Sequence, residues 1–490
     1  MAPTTKAVAS DARNRRSGSK RTREDDGLAA PARKKRQTIP RPGPSKPALT
    51  DRPTQPLNIY VFGANSGGEL GLGPSVKSGN VSRPRLNPYL SGPVGVVQVS
   101  LGAMHGAALT IDNRILTWGV NDHGALGRDT SWEATMVDAD DNNSDGEGDD
   151  EGDLNPREST PSAVDMSNLP ADITFTQVAA ADNATFALTS TGLVYGWGTF
   201  RSNDGELAFS PTVAVQPQPA LIPSLKEVMK ICCGSNHALA LTADGSVYAW
   251  GKGSEGQLGR RFSLRVTGWK KEQLIPRKIP SLSKVVDIGT GPSHSFAIDH
   301  TGAVYGWGFN NAGQLGVIDI DGEVESDFKS AVFIPTPGRI KGLQEFGRIT
   351  QITGGNFHTI AATEDGKCLT WGRLFSYATG LEIHNIAKPS IVHHSLTRYE
   401  PSFLKVPITV EGIEPLSIAA ASEHSLTVTA DHQIYTWGLN LTKQLGQKAE
   451  EVEVAAPLRH DSIMGKQVVW VGTGAQFSML GEVAASSVGC

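Results

Sequence analysis

Residues 231–259 read ICCGSNHALALTADGSVYAWGKGSEGQLG. Two short runs inside it, HALAL from His237 and SVYAW from Ser246, are rich in β-branched, aromatic and small apolar residues. Between them lies Ala243-Asp244-Gly245, a turn in which glycine supplies a positive φ. Two strands joined by such a turn form a hairpin. The same phrase returns at Ser295–Trp307 around His300-Thr301-Gly302, and at Thr359–Trp371 around Glu364-Asp365-Gly366. Its ending, an aromatic followed by glycine, occurs seven times: Phe62-Gly63, Trp118-Gly119, Trp197-Gly198, Trp250-Gly251, Trp307-Gly308, Trp371-Gly372 and Trp437-Gly438. These anchors lie 53 to 79 residues apart. A unit of that size cannot bury its own apolar face, so the copies must pack on one another.

No stretch outside the N-terminal tail shows a helical period sustained over three or four turns, and 54 glycines favour turns over helices. The expected fold is all-β, a seven-bladed β-propeller, in which radial closure leaves only short edges. The chain ends predict how the ring locks. Asn58–Gly63 lacks the strands that should precede it, while Val468–Leu480 (VVWVGTGAQFSML) has those strands and lacks the anchor. Together they form one composite N-/C-terminal blade, with Asn58–Gly63 as an inner strand or its neighbour.

The charge is unevenly placed. Residues 1–56 carry 14 Lys/Arg and 5 Asp/Glu, a net of +9, against −14 for the remainder, nine of those negative charges lying in Asp138–Asp153. The expected organisation is a disordered basic tail over 1–55, a propeller over 56–484 with an acidic disordered insertion at 137–156, and a C-terminal tail over 485–490. Within the tail, Lys20-Arg21 and Arg33-Lys34-Lys35-Arg36 have the spacing of a bipartite nuclear import signal, which implies importin as a partner. The same charges suit DNA phosphates, with affinity that falls as salt rises. No apolar run follows them as in a secretory signal, and no run approaches the roughly 20 residues that span a bilayer, so no membrane partner is expected. Cys232, Cys233, Cys368 and Cys490 have neither disulfide-framework nor zinc spacing.

His105, His237, His294, His358 and His424 occupy one place in five repeats, beside Gly102, Gly234, Gly291 and Gly355 in four of them. Repetition at equivalent places is what packing or a backbone hydrogen bond demands, whereas catalysis needs different residues converging. No metal or cofactor is expected. The departures carry more information. The repeat at AADNATFALTSTGLVYGWGTFRSNDGELAF has Ala181 for the glycine, Ala184 for the histidine, and an acidic Asp182. Its segment Phe200-Arg201-Ser202-Asn203-Asp204-Gly205-Glu206 is longer than its counterpart, as a partner-contacting hairpin or a tolerated surface insertion. After Trp371 the chain reads RLFSYATGLEIH in place of Gly-Gln-Leu-Gly, and Phe477 stands where a histidine is expected. A P-loop and a Gly-x-Ser-x-Gly elbow are absent.

The unit G-x-x-H-[ST]-x-x-L-x-x-[DE]-G-x-[VL]-Y-x-W-G…G-Q-L-G resembles the repeat of the regulator of chromosome condensation family, over about Gln55 to Gly481. The resemblance implies a seven-bladed propeller that acts as a guanine nucleotide exchange factor for the small GTPase Ran on chromatin, without covalent chemistry, in the nucleus. It implies that Asp182 is the family's catalytically important acid, that His358 is a histidine on the Ran-facing side, and that Phe200–Leu207 is the wedge inserted into the GTPase. It also implies that Arg260–Lys271 is a loop offering Arg261 and Arg265 to the acidic face of the histone dimer in the nucleosome. Asn236 and Phe477 depart from the family's common Asp and His. The competing reading is a non-catalytic chromatin scaffold or ubiquitin-ligase adaptor propeller.

Overall fold

The computed structural model describes residues 48–133, 153–262, 268–320, 323–324, 333–387, 391–392 and 403–485. The import-signal residues Lys20, Arg21, Arg33, Lys34, Lys35 and Arg36, most of the acidic insertion, Arg265 and residues 486–490 lie outside them.

The described chain is all-β and antiparallel, with only short helical turns. Seven units follow one plan, an inner, a second and a third strand with an outer strand beside the third. Unit I is Val96–Leu101, His105–Thr110 and Ile115–Gly119, edged by Ser162–Ala163. Unit II is Phe175–Ala180, Ala184–Thr189 and Val194–Gly198, edged by Gln216–Leu221. Unit III is Val228–Cys233, His237–Thr242 and Val247–Gly251, edged by Arg277–Lys278. Units IV, V and VI begin at Val285, Ile349 and Pro415. Unit VII joins the chain ends: Val468–Thr473, Phe477–Val483, then Leu57–Ala64 and Asn80–Leu86. The inner strands touch in the order I to VII, and VII touches I.

Leu57–Ala64 pairs with Phe477–Val483 over seven residues. It is therefore the third strand of its unit, not the inner strand or its neighbour, because its Phe62-Gly63 must take the register that Trp-Gly takes elsewhere. Buried Glu482 pins this junction, accepting from Asn58 Nδ2 (3.2 Å) and Tyr60 Oη (3.2 Å) and pairing with Lys466 Nζ (3.1 Å). The ordered body begins before residue 56: Leu49 N donates to Ser190 O, Thr50 bonds Thr176, and Arg52 Nη2 donates to Thr110 O. The acidic insertion likewise ends before 156, since Leu154 is buried and Asn155 caps the turn Pro156–Ser159.

The anchor glycines have a steric cause. All seven have φ between 93° and 110°, a region costly for any residue with a Cβ. At Gly198 a Cβ would lie 2.2 Å from Asn183 O. The preceding aromatics, Trp118, Trp197, Trp250, Trp307, Trp371, Trp437 and Phe62, are fully buried between units.

Four of the five repeated histidines latch one unit to the next, while His294 is buried edge-on to Phe296 with neither ring nitrogen hydrogen-bonded. Nε2 of His105 bonds Thr185 (2.9 Å), His237 bonds Ser295 (2.8 Å), His358 bonds Ser425 (2.8 Å) and His424 bonds Ser478 (3.2 Å). Each hydroxyl in turn donates to a loop carbonyl: Thr185 to Ala125, Ser295 to Gln257, Ser425 to Ala378 and Ser478 to Gln444. Trp197, Trp307 and Trp437 Nε1 donate to the first three of those carbonyls. A hydroxyl spends its single proton on the carbonyl, so it accepts from the histidine, which fixes the neutral Nε2–H tautomer.

The latch accounts for both departures. Ala184 faces unit III, whose matching residue is Ala238, and Phe477 faces unit I, whose matching residue is Gly106. Where the hydroxyl is missing, so is the histidine that would need it.

Candidate functional site

Antiparallel pairing puts the loop between inner and second strands at the same end of each unit as the residues following the third strand. At that end every unit contributes to one polar cavity of about 450 Å³, lined by Ala103, Asp182, Ser235, Pro292, Asn356, Ser422 and Ala475 among others. Asp182 is its lone carboxylate. Its backbone N–H donates to Ser235 O (2.9 Å), which sets the loop of unit II against that of unit III. Burial raises the Asp182 pKa, while hydrogen bonds from the Ser235 side chain and the Ala103 backbone pull it back only in part. No cation contributes to that balance.

The long segment after Trp197 is a separate hairpin, Phe200–Ser202 paired with Gly205–Ala208, turning at Asn203-Asp204. It springs from the same loops as Asp182. Thr199 N donates to Asn183 O (2.8 Å), and Arg201 N donates to Asn236 Oδ1 (2.7 Å) in the loop that carries Ser235. Lys252 Nζ, anchored by Glu255 (2.8 Å), holds the tip through Asn203 Oδ1 (2.9 Å), and Lys270 pairs with Asp204 at 3.5 Å. Arg201, Asn203 and Asp204 are exposed. The structure thus brings Asp182 and the exposed part of 200–207 together at one end.

Some expected site residues take other places. Phe200 is fully buried, stacked on Phe186 at 6.0 Å, and Leu207 packs against the same core cluster. These two root the hairpin: Phe200 offers no contact surface, and Leu207 is partly buried. His358 is also buried and sits in the latch to Ser425, with its pKa lowered to about 4 by burial. A visitor cannot touch its ring without breaking that joint, so His358 is a positioning residue and not a catalytic one.

Arg261 is exposed, whereas Arg260 is tied down by Ala249 O (2.7 Å) and lies over the Phe262 ring. Asn236 entered the sequence reading only as a departure, yet it clamps the hairpin. The signal was available, since a carboxamide in a loop beside a protruding hairpin can accept from its backbone. Among the described residues no three His, Cys, Asp or Glu side chains are grouped to hold a metal, and no helix is long and apolar enough to cross a membrane.

Residues 58–480 match the family profile described as an RCC1-like domain. The chain is 36% identical to "Protein pim1" of Schizosaccharomyces pombe, over 90% of this chain and 77% of that protein. It is 34% identical to "Guanine nucleotide exchange factor SRM1" of Saccharomyces cerevisiae, over 88% of each. The crystal structure of Prp20p from S. cerevisiae, described together with its binding properties to Gsp1p and histones, superposes with a TM-score of 0.77. That match is at 31% identity and covers 88% of this chain and 92% of that one. Yeast RCC1 (Prp20) bound to Kap60 superposes with a TM-score of 0.79 at 30% identity, covering 94% and 97%.

Proposed function

The chain belongs to the RCC1-like domain family, and from that premise we propose that it is a guanine nucleotide exchange factor for the small GTPase Ran, acting on chromatin in the nucleus. The observation that carries the reading is the junction of Asp182, at the cavity mouth, with a hairpin rooted in the same two loops. Seven units of one plan, touching in cyclic order, support a closed seven-bladed propeller whose composite blade joins the chain ends. Residues 56–484 form the propeller, with Leu49, Thr50 and Arg52 bonded to units I and II ahead of it, flanked by a basic tail and a short C-terminal tail.

Exchange needs no bond chemistry. The GTPase holds its nucleotide through phosphate-binding amides and Mg²⁺. A factor that binds the nucleotide-free form more tightly than the loaded form weakens the nucleotide by the same coupling free energy. Here the tip Arg201–Glu206 enters the phosphate region, while buried Phe200 and partly buried Leu207 hold it against the core. Asp182, without a cation in the free protein, takes one from the GTPase as the nucleotide leaves. The factor speeds release in both directions, and cellular GTP excess sets the outcome.

Prp20p is described with histones and yeast RCC1 with Kap60. By that likeness Arg261 and Arg265 meet the acidic histone face, and the basic tail carries the importin and DNA contacts. The scaffold alternative keeps the repeats but gives no role to an unpaired Asp182 beside a clamped hairpin. A pull-down with immobilised Ran separates the two. Nucleotide-free Ran should retain the protein, and Ran loaded with GTP and Mg²⁺ should retain about tenfold less or lower, within the 5- to 150-fold range of ordinary coupling. Equal retention by both forms rejects exchange activity.

A further inference from the structure

Across the cavity from the hairpin, unit V breaks the repeat, and its Arg373-Leu374-Phe375-Ser376-Tyr377 is the stretch that the exchange reading leaves without a role. The third strand, Cys368–Arg373, ends where all third strands end, so this loop shares the end that holds Asp182. Phe375 is 64% exposed, although the loop is otherwise well packed, with Leu374 and Ser376 buried. Ser376 and Tyr377 both adopt left-handed φ, +70° and +55°. Two consecutive non-glycine residues there are strained and persist only where the surroundings impose them.

The surroundings are a layered stack. The Arg373 guanidinium lies over the Phe357 ring at 4.9 Å and under the Phe375 ring at 5.0 Å, and Phe309 meets Phe357 at a tilt of 53°. Glu423 holds the loop from the next unit, accepting from Ser376 Oγ (3.2 Å) and pairing with Arg373 at 4.0 Å.

We propose that Phe375, held outward on the Arg373–Phe357 stack, is a second anchor for the same GTPase, seating an apolar side chain of its surface opposite the wedge. This rests on the exchange reading above. A strained loop that spends backbone energy to expose a phenyl ring is poorly explained by solubility or core packing. A rigid aromatic in a preorganised setting is the residue class that dominates interfaces. Units II–III and unit V stand on different sides of one cavity, so a globular visitor over that cavity meets both. The wedge does the displacement, and Phe375 contributes binding that is equal in loaded and nucleotide-free states.

The test is the rate of fluorescent GDP release from Ran, measured against substrate concentration for the full chain and for Phe375→Ala. The substitution should raise KM about tenfold, equivalent to about 1.4 kcal/mol, with kcat within twofold and an unchanged melting temperature. Phe375→Leu, which keeps an apolar side chain, should restore most of the affinity. If Phe375→Ala matches the wild type in KM while the wild type exchanges normally, the second anchor is wrong and the exchange reading stands. If it lowers kcat and leaves KM unchanged, Phe375 does not act as uniform binding and the proposal also fails. A wild type that does not accelerate release rejects the exchange reading itself.

Discussion

Asp182→Ala will slow nucleotide release by about ten- to hundredfold, the range of an ordinary coupling free energy of 1–3 kcal/mol, and the melting temperature will hold or rise. The two effects separate because Asp182 is poorly served by its own fold. Burial raises its pKa, and the Ser235 and Ala103 hydrogen bonds compensate only in part. Alanine removes that unfavourable carboxylate while leaving the Asp182 N–H to Ser235 O bond, which is a backbone feature. A residue retained at a cost to stability is retained for what it binds. Asp182→Asn keeps the shape and hydrogen-bonding capacity without the charge, and should be nearly as slow. Stopped-flow release of a fluorescent nucleotide reads the rate, and thermal unfolding reads the stability. Asp182→Ala at the wild-type rate removes the residue from the mechanism.

The second large effect is on acid stability. Burial lowers the pKa of His105 and His358 to about 4 and of His237, His294 and His424 to about 3, from 6.5 in the unfolded chain. Each folded ring stays neutral where the unfolded ring takes up a proton. Stability is therefore complete above about pH 6.5 and lost progressively as pH falls towards 4. At pH 5 each ring costs about 2 kcal/mol, and the five together about 10 kcal/mol, within the range of a whole domain's stability. The raised pKa values of Asp182 and Glu158 act in the opposite direction, but as two groups against five. The carboxylates with lowered pKa values, such as Asp244 and Asp299, add their loss only below about pH 4. Equilibrium denaturant unfolding from pH 7.5 to 5 should show a steep decline, with unfolding near pH 5 without denaturant. Stability that stays level over that interval would show that the buried rings are not held as neutral species.

Much of this was legible before the structure. The seven aromatic-glycine anchors specify seven copies because each glycine occupies a backbone region closed to other residues. The unfinished repeats at the two ends announced their own pairing. The structural role of the histidines followed from their repetition, and their partners were readable too. The residue after the histidine position carries a hydroxyl in the unit that follows each histidine, and lacks one where the preceding unit has no histidine, as Ala184 with Ala238 and Phe477 with Gly106 show. What failed was radial and depth information. Leu57–Ala64 reads as a strand but not as the third one, since strand propensity carries no distance from an axis. Phe200 reads as the aromatic of an exposed hairpin, yet it is buried because Phe186 lies directly beneath it, 14 residues away in sequence. His358 was given a partner-facing role by the family resemblance, whereas Ser425 already occupies its Nε2. Arg201 and Asn236 meet across two units, and no spacing within one repeat reports a contact between repeats.

The end of the molecule that carries Asp182 and the hairpin is expected to separate a GTPase from its nucleotide. Release of fluorescent GDP from Ran with catalytic amounts of the full chain tests it most directly, chased in parallel with unlabelled GDP and with unlabelled GTP. Acceleration that saturates with Ran concentration and is the same for either chase is the predicted result. No acceleration, or acceleration only when GTP is the incoming nucleotide, would contradict it.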